Sequence, residues 1–245
     1  TDVAKEASDM VVTDDNFASI AAAVEEGRGV FDNIRKAIHY LLSCNISEIL
    51  LMLQATVFGV PLPLLPVQIL WINLVTDGLP ALALAVDPKD TDLMRRPPRA
   101  PAERLFTNRQ FLRILGEGLF LGSLAMFMFV YCLYGMDLSL ERARTLTFTI
   151  MVLVQLAHAL NCRNDRRSLF AIGVWTNKPL LWAIGVSALL QAGIVLIPSL
   201  HPFFKVTGFD TEHWLLAAGV GILPLLAMEI RKIIAGRISG APLRP

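Results

Sequence analysis

The chain has little charge of either sign and few groups suited to covalent chemistry. Only 18% of its 245 residues are charged, and 22 Lys and Arg against 21 Asp and Glu leave a formal net charge of +1. A nucleic-acid binder would carry a basic excess, so nucleic acid is excluded as a partner. The three cysteines, Cys44, Cys132 and Cys162, lie far apart, with no CxxC pair and no zinc-finger histidine spacing. They exclude a disulfide scaffold and read as small apolar fillers. No basic segment followed by a short apolar run opens the chain, so no signal peptide is expected. The first residue is Thr rather than Met, and the expectation is a start inside a longer protein.

What the chain has is apolar length. Apolar residues make up 54% of it, and the mean hydropathy is +0.55. A helix needs about 20 apolar residues to cross a bilayer. Six stretches meet that length, near 38–58, 64–86, 114–134, 145–162, 180–199 and 213–230. The fourth is the weakest, short and carrying Gln155 and His158. If all six cross, the loops alternate sides. All but three of the 22 Lys and Arg residues then fall on one side, Arg142, Arg144 and Lys205 being the exceptions. The positive-inside rule puts that side, and both termini, in the cytoplasm. Trp175 and Trp182 toward the inner face, with Tyr131, Tyr134 and Trp214 toward the outer, match interfacial belts. The expected fold is therefore an all-α membrane protein of six transmembrane helices, with the lipid bilayer as partner.

The amino-terminal 28 residues differ. DMVVT at 9–13 reads as a short buried strand; Thr13, Asp14 and Asp15 read as entry to a helix over 17–26, with Gly27 as its stop. One strand and one helix cannot bury a core, so the segment is expected to be a tail of a soluble α/β domain. From residue 30 nothing breaks a helix before Gly59. That rod of about 43 Å exceeds the roughly 30 Å hydrocarbon layer and should project into the cytoplasm.

Ionisable groups inside a membrane cost several kcal/mol and are functional candidates by default. Glu48 and Asp77 lie deep in the first and second spans. Asn45 precedes Glu48 by three residues and Asn73 precedes Asp77 by four, so each pair shares a helix face, with Thr76 beside Asp77. In NLVTDGLP, from Asn73 to Pro80, Gly78 and Pro80 weaken the helix where these oxygens gather. Such backbone survives at membrane depth only beside protein or a polar cavity, where freed carbonyls can act as ligands. With Gln155 the donors are all oxygens. Such a set suits Ca²⁺, Mg²⁺, Mn²⁺ or alkali ions rather than Zn²⁺ or Cu⁺, and two carboxylates favour a divalent ion. The competing reading holds both carboxyls neutral in interhelical hydrogen bonds. Glu117 and Glu229 read as interfacial anchors reaching headgroups or arginines. His39 and His158 read as packing residues without a metal-ligand partner at i+3 or i+4. No P-loop and no DKTGT-like phosphorylation segment occurs, and no catalytic residue is expected.

Several runs carry a family resemblance. Residues 1–28, SCNISE at 43–48, PVQILWINLVTDGLPALAL at 66–84 and MRRPPR at 94–99 resemble type II P-type ATPases, in particular the calcium-transporting, sarcoplasmic-reticulum-like subgroup. The resemblance implies that 1–28 is the end of the phosphorylation domain, 29–234 the six-helix carboxy-terminal membrane domain and 235–245 a disordered cytoplasmic tail. It implies ion ligands at Asn45, Glu48, Asn73, Thr76 and Asp77, and at the position of Gln155. Sarcoplasmic-reticulum-type pumps carry Glu at that last position; sodium and potassium pumps carry Gln. The implied function is the ion-pathway half of an ATP-driven pump exporting Ca²⁺ from the cytoplasm through a phosphorylated intermediate. ATP and Mg²⁺ would act only through amino-terminal pump domains not in this chain, and the location would be the bacterial plasma membrane. The alternatives are a non-catalytic orphan or split-subunit module, or a pump for Mn²⁺, Na⁺/K⁺ or H⁺.

Overall fold

The computed structural model describes residues 2–13, 16–98, 104–165 and 167–238. A short helix, Asp2–Glu6 (α1), opens it, followed by one 42-residue helix, Phe17–Phe58 (α2). At 1.5 Å per residue α2 is about 63 Å long, roughly twice the hydrocarbon thickness. The expected stop at Gly27 is not there. A helical Gly costs only about 1 kcal/mol relative to Ala, too little by itself to end a helix, and Gly27 lies in an exposed stretch with nothing within 4 Å of an added Cβ. Gly29 is used for contact instead: a Cβ there would sit 2.9 Å from Cγ of Lys89, whose ammonium pairs with Glu26. The helix cap is Asn16, whose side chain accepts from the Ala18 N–H at 3.0 Å. Thr13 lies outside the helix, and the expected entry residues Asp14 and Asp15 lie outside the described residues. The strand expected at 9–13 does not form, and Met10 and Val11 are exposed. A strand needs a neighbouring ladder to satisfy its backbone, and the described residues offer none.

After a left-handed turn at Gly59 (φ 66°), whose N–H closes α2 on Ala55 and Thr56, the chain returns as a broken helix. It comprises Pro66–Trp71 (α3), a π-helical turn at Ile72–Thr76 and Gly78–Ala85 (α4). Then follow Asn108–Val130 (α5, continued by a π turn), Leu140–Asn161 (α6), Leu169–Ile172 (α7), Lys178–Leu196 (α8), His201–Phe204 (α9) and Thr211–Ile238 (α10). Among the described residues six helices are long and apolar enough to cross a membrane, at the six expected positions, and the chain is an all-α membrane protein. Of the expected tail at 235–245, residues 235–238 continue α10 and the rest lies outside the described residues.

The weakest span by sequence is the centre of the bundle. α6 packs against α2, α5, α8 and α10, and most of its membrane-crossing segment is buried. A helix facing other helices rather than lipid has no need of an all-apolar surface. Thr145, Thr147 and Thr149 are fully buried, and each donates its hydroxyl to the carbonyl four residues back, at 2.8–3.0 Å. The lipid-facing helices show the reverse pattern, with Ile49, Leu53 and Val57 exposed on α2 and Leu189 and Leu196 on α8. Of the expected belt residues, Trp175, Trp182, Tyr131 and Tyr134 are exposed, while Trp214 is half-buried against Phe209.

Two glycines on one face of α5 let α2 approach closely. A Cβ at Gly118 would lie 2.6 Å from Cγ2 of Ile46, and one at Gly122 would lie 2.5 Å from the Ser47 carbonyl oxygen. Small residues four apart serve this purpose in membranes, where packing rather than water exclusion drives helix association. At the end of the bundle where α2 projects, polar clamps replace packing. Asp87 is 5% exposed and accepts from Lys36 (2.7 Å), Arg163 (2.9 Å) and Asn177 (2.7 Å), joining α2, the end of α6 and the start of α8. Arg96 reaches Asp32 on α2 at 2.5 Å and also Asp90 and Asp92; its guanidinium beside Asp92 holds that carboxyl below the usual range.

Gly122→Val should lower the thermal unfolding midpoint of the detergent-solubilised protein by an amount matching at least the 1–3 kcal/mol typical of overpacking. Gly116→Ala, with nothing within 4 Å of its added Cβ, should not lower it. An unchanged midpoint for Gly122→Val would contradict the close approach of α2 and α5.

Candidate cation site

The interruption between α3 and α4 is what positions the polar side chains. The Asp77 N–H bonds to the Ile72 carbonyl five residues back at 2.9 Å, a π-type bond. Pro80 has no N–H to give the Thr76 carbonyl, so the regular ladder fails on both sides of Asp77. Such single π turns inside α-helices occur frequently at functional sites. The weakening read from Gly78 and Pro80 is present, though the distortion lies just ahead of Gly78, over residues 72–76.

Three helices converge on Glu48. Its carboxylate is 4% exposed; Oε2 accepts from Asn73 Nδ2 at 2.7 Å and Oε1 from Gln155 Nε2 at 3.1 Å. Asp77, one helical turn beyond Asn73, is 1% exposed, and its Oδ1 accepts from the Tyr40 hydroxyl at 3.0 Å. Asp77 Oδ2 and Gln155 Oε1 are buried oxygens without a hydrogen-bond partner. Thr76 is fully buried, its hydroxyl turned back to the Ile72 carbonyl at 3.0 Å. Of the six residues expected from sequence, Glu48, Asn73 and Gln155 are in direct contact, and Asp77 and Thr76 follow Asn73 on the same broken helix. Asn45 is half-buried, and its amide donates to the Leu41 carbonyl at 2.8 Å rather than to either carboxylate. Tyr40 was not expected from sequence. Its position four residues before Cys44 and eight before Glu48, on one face of α2, was the available signal.

A second polar cluster lies toward the projecting end of α2. Glu117 is 5% exposed and reaches arginines, one of its two expected partners: Oε1 is held by Arg113 (2.9 Å) and Arg231 (2.9 Å), while Oε2 meets His39 Nε2 at 2.6 Å. Asp165 lies 3.5 Å from His39 Nδ1 and 3.2 Å from Arg113. Burial pushes the Asp165 carboxyl up, but the bond to His39 and the charge of Arg113 outweigh this and bring it down to about 2. Glu229 is likewise buried, accepting from Ser168, the Leu169 N–H and Lys232. The expectation that His158 lacks a metal-ligand partner at i+4 needs correction. Cys162 is four residues on, with Sγ 3.3 Å from His158 Nε2.

Residues 61–234 match the family model for the cation transporting ATPase, C-terminus. The chain belongs to that family. It is 42% identical over 224 residues to a calcium-transporting ATPase of Bacillus subtilis, covering 91% of this chain and 25% of that protein. It is 41% identical over 248 residues to calcium-transporting ATPase 1 of Bacillus cereus, covering 95% of this chain and 28% of that protein. The endoplasmic reticulum calcium ATPase srcA of Aspergillus fumigatus is 35% identical over 272 residues, covering 99% and 28%. The chain thus spans about a quarter of the length of the curated relatives it matches. The two buried carboxylates, the π turn and the convergence of α2, α3–α4 and α6 are the features this member of the cation-transporting ATPase family builds at mid-span.

Tyr40→Phe removes a buried hydrogen bond to Asp77 and should cost about 1–3 kcal/mol in stability. Thermal unfolding in detergent checks this; a change under a few tenths of a kcal/mol would mean the contact contributes nothing.

Proposed function

We propose that this chain is the ion-pathway portion of an ATP-driven Ca²⁺ pump, and that Glu48, Asn73, Thr76, Asp77 and Gln155, with Asn45 alongside, supply its cation ligands. The observation that carries the reading is Glu48, buried and gripped by amides from two other helices, beside a helix interrupted at Asp77. Ca²⁺ takes about 6–8 oxygens. The two carboxylates, the amide oxygens of Asn73 and Gln155 and the carbonyl of Thr76 are donors of that kind. The amides now direct N–H groups at Glu48, so a cation entering there requires them to turn their oxygens inward. The unpartnered oxygens of Asp77 and Gln155 support such an exchange. The names of the relatives from both Bacillus species and from Aspergillus support Ca²⁺ as the ion.

In this reading residues 1–28 end the phosphorylation domain, 29–234 form the membrane domain and 235–245 are a cytoplasmic tail. ATP and Mg²⁺ act through domains elsewhere in the longer protein, and both termini are cytoplasmic in a bacterial plasma membrane. The Lys and Arg asymmetry supports the orientation. Phosphorylation of the soluble domain would displace the projecting end of α2. Because α2 is continuous to Phe58, a push at that end moves Glu48 relative to Asp77 and Gln155. Arg28, donating to the carbonyls of Leu93 and Arg96 at 2.8 Å, and Arg96 on Asp32 would carry the same movement to the α4–α5 loop. Transport needs two such arrangements differing several kcal/mol in ion affinity.

In the full-length protein, Asp77→Asn should abolish Ca²⁺-dependent phosphorylation. Glu48→Gln should weaken equilibrium Ca²⁺ binding strongly, and Gln155→Ala less so. Calcium dependence unaltered in Asp77→Asn would overturn the assignment. Uptake into vesicles with competing Mn²⁺, Na⁺ and H⁺ gradients decides the ion.

A further inference from the structure

We propose that His39, His158, Cys162 and Glu117 form a second, buried metal site, selective for a borderline divalent ion such as Zn²⁺ and separate from the oxygen site around Glu48. Among the described residues, His39, His158 and Cys162 are all buried and each offers a ligand atom within 4.8 Å of the others. A tetrahedral ion with bonds of about 2.0–2.3 Å to nitrogen and sulfur holds its donors about 3.3–3.8 Å apart. The His158–Cys162 pair, four apart on α6, already stands at 3.3 Å, so closing the set needs about 1 Å of side-chain movement from His39. The fourth donor is Glu117 Oε2, 3.9 Å from His158 Nε2 and 2.6 Å from His39 Nε2, a hydrogen bond that opens by about 0.7 Å when both atoms ligate. Arg113 and Arg231 hold the other carboxylate oxygen, which fixes Oε2 toward the imidazoles. With Cys162 as thiolate, the thiolate and the carboxylates of Glu117 and Asp165 exceed the guanidiniums of Arg113 and Arg231 by one negative charge, which favours a cation there.

His158 Nδ1 is buried without a partner with or without an ion. In the metal-bound form the proton of His158 sits on Nδ1 and Nε2 turns from the Ser43 hydroxyl, 2.8 Å away, to the ion, so what recommends the site is the convergence of its donors. Asp165, facing His39 Nδ1, would fix the tautomer that presents Nε2, the usual partner of a ligating histidine. Two imidazoles and a thiolate disfavour Ca²⁺ and Mg²⁺, which take oxygens. The two sites use different side chains but adjoin: His39 precedes Glu48 by nine residues, about 13 Å along α2, while Tyr40, which donates to Asp77, has its ring 6.3 Å from that of His158. A bound ion would join α2, α5 and α6 at the end of the bundle where α2 projects.

The test is a Co²⁺ titration of the full-length protein purified in detergent under reducing conditions. One equivalent of Co²⁺ should give a thiolate-to-cobalt charge-transfer band, and Zn²⁺ should displace it while excess Ca²⁺ should not. Cys162→Ser should abolish the band. His39→Gln, which keeps the thiol, should weaken Co²⁺ binding at least tenfold, so it carries the test should Cys162→Ser fail to fold. Asp77→Asn should leave the band intact, separating this site from the transport site. No band in the unaltered protein, or a band that survives Cys162→Ser or is displaced by Ca²⁺, overturns the proposal.

Discussion

Two carboxyl groups held inside a bundle of apolar helices set the terms for the rest of this structure. Glu48 and Asp77 give up their hydration, and a buried carboxylate without partners costs several kcal/mol. The bundle meets that cost by bringing donors from different helices. Asn73 and Gln155 reach Glu48 from α3–α4 and α6, and Tyr40 reaches Asp77 from α2. Separating any of these helices would take a hydrogen-bond donor from a buried carboxyl group. The carboxylates therefore act as the register that tells α2, α3–α4 and α6 where to meet.

That constraint also explains the two unusual backbone features. A regular α-helix through residues 66–85 would keep every carbonyl in its ladder. The π turn at Ile72–Thr76 and the missing N–H of Pro80 release backbone oxygens beside Asp77 instead, at a depth where only a protein-lined or polar environment tolerates them. The glycines of α5 act on the other side of α2. With Gly118 and Gly122 against the backbone near Ser43 and Ser47, α5 holds α2 against the site at a distance no larger residue permits. The site is thus braced on one side by close packing and bordered on the other by a broken helix.

The polar ends of the bundle follow a different logic. Where α2 leaves the other helices, Asp87, Arg163, Lys36, Arg96 and Asp32 form clamps between sequence-distant segments. Glu117, His39 and Cys162 sit one layer further in. Both groups tie the projecting rod to the membrane helices.

Hydrophobic length and the isolated acidic residues made six helices and most of the site legible in the residues alone. Glu48, Asp77 and their neighbours at i−3 and i−4 announce themselves because charge is so costly in hydrocarbon, and helical periodicity then places Asn73 beside Asp77. Periodicity says nothing about which faces of different helices meet. That Gln155 binds Glu48 while Asn45 turns to its own helix, that Tyr40 serves Asp77, and that Cys162 stands beside His39 depended on packing between helices far apart in sequence. The same holds for the strand that does not form at 9–13, since a lone strand survives only beside a neighbour; the helix runs through the exposed Gly27 because one glycine costs it only about 1 kcal/mol. The sequence by itself determined how many times the chain crosses and which side chains are too polar to face lipid. The tertiary structure decided which of them meet, because a polar group in a bundle is satisfied by whatever donor the neighbouring helix brings within 3 Å, and that is set by packing rather than by spacing along the chain.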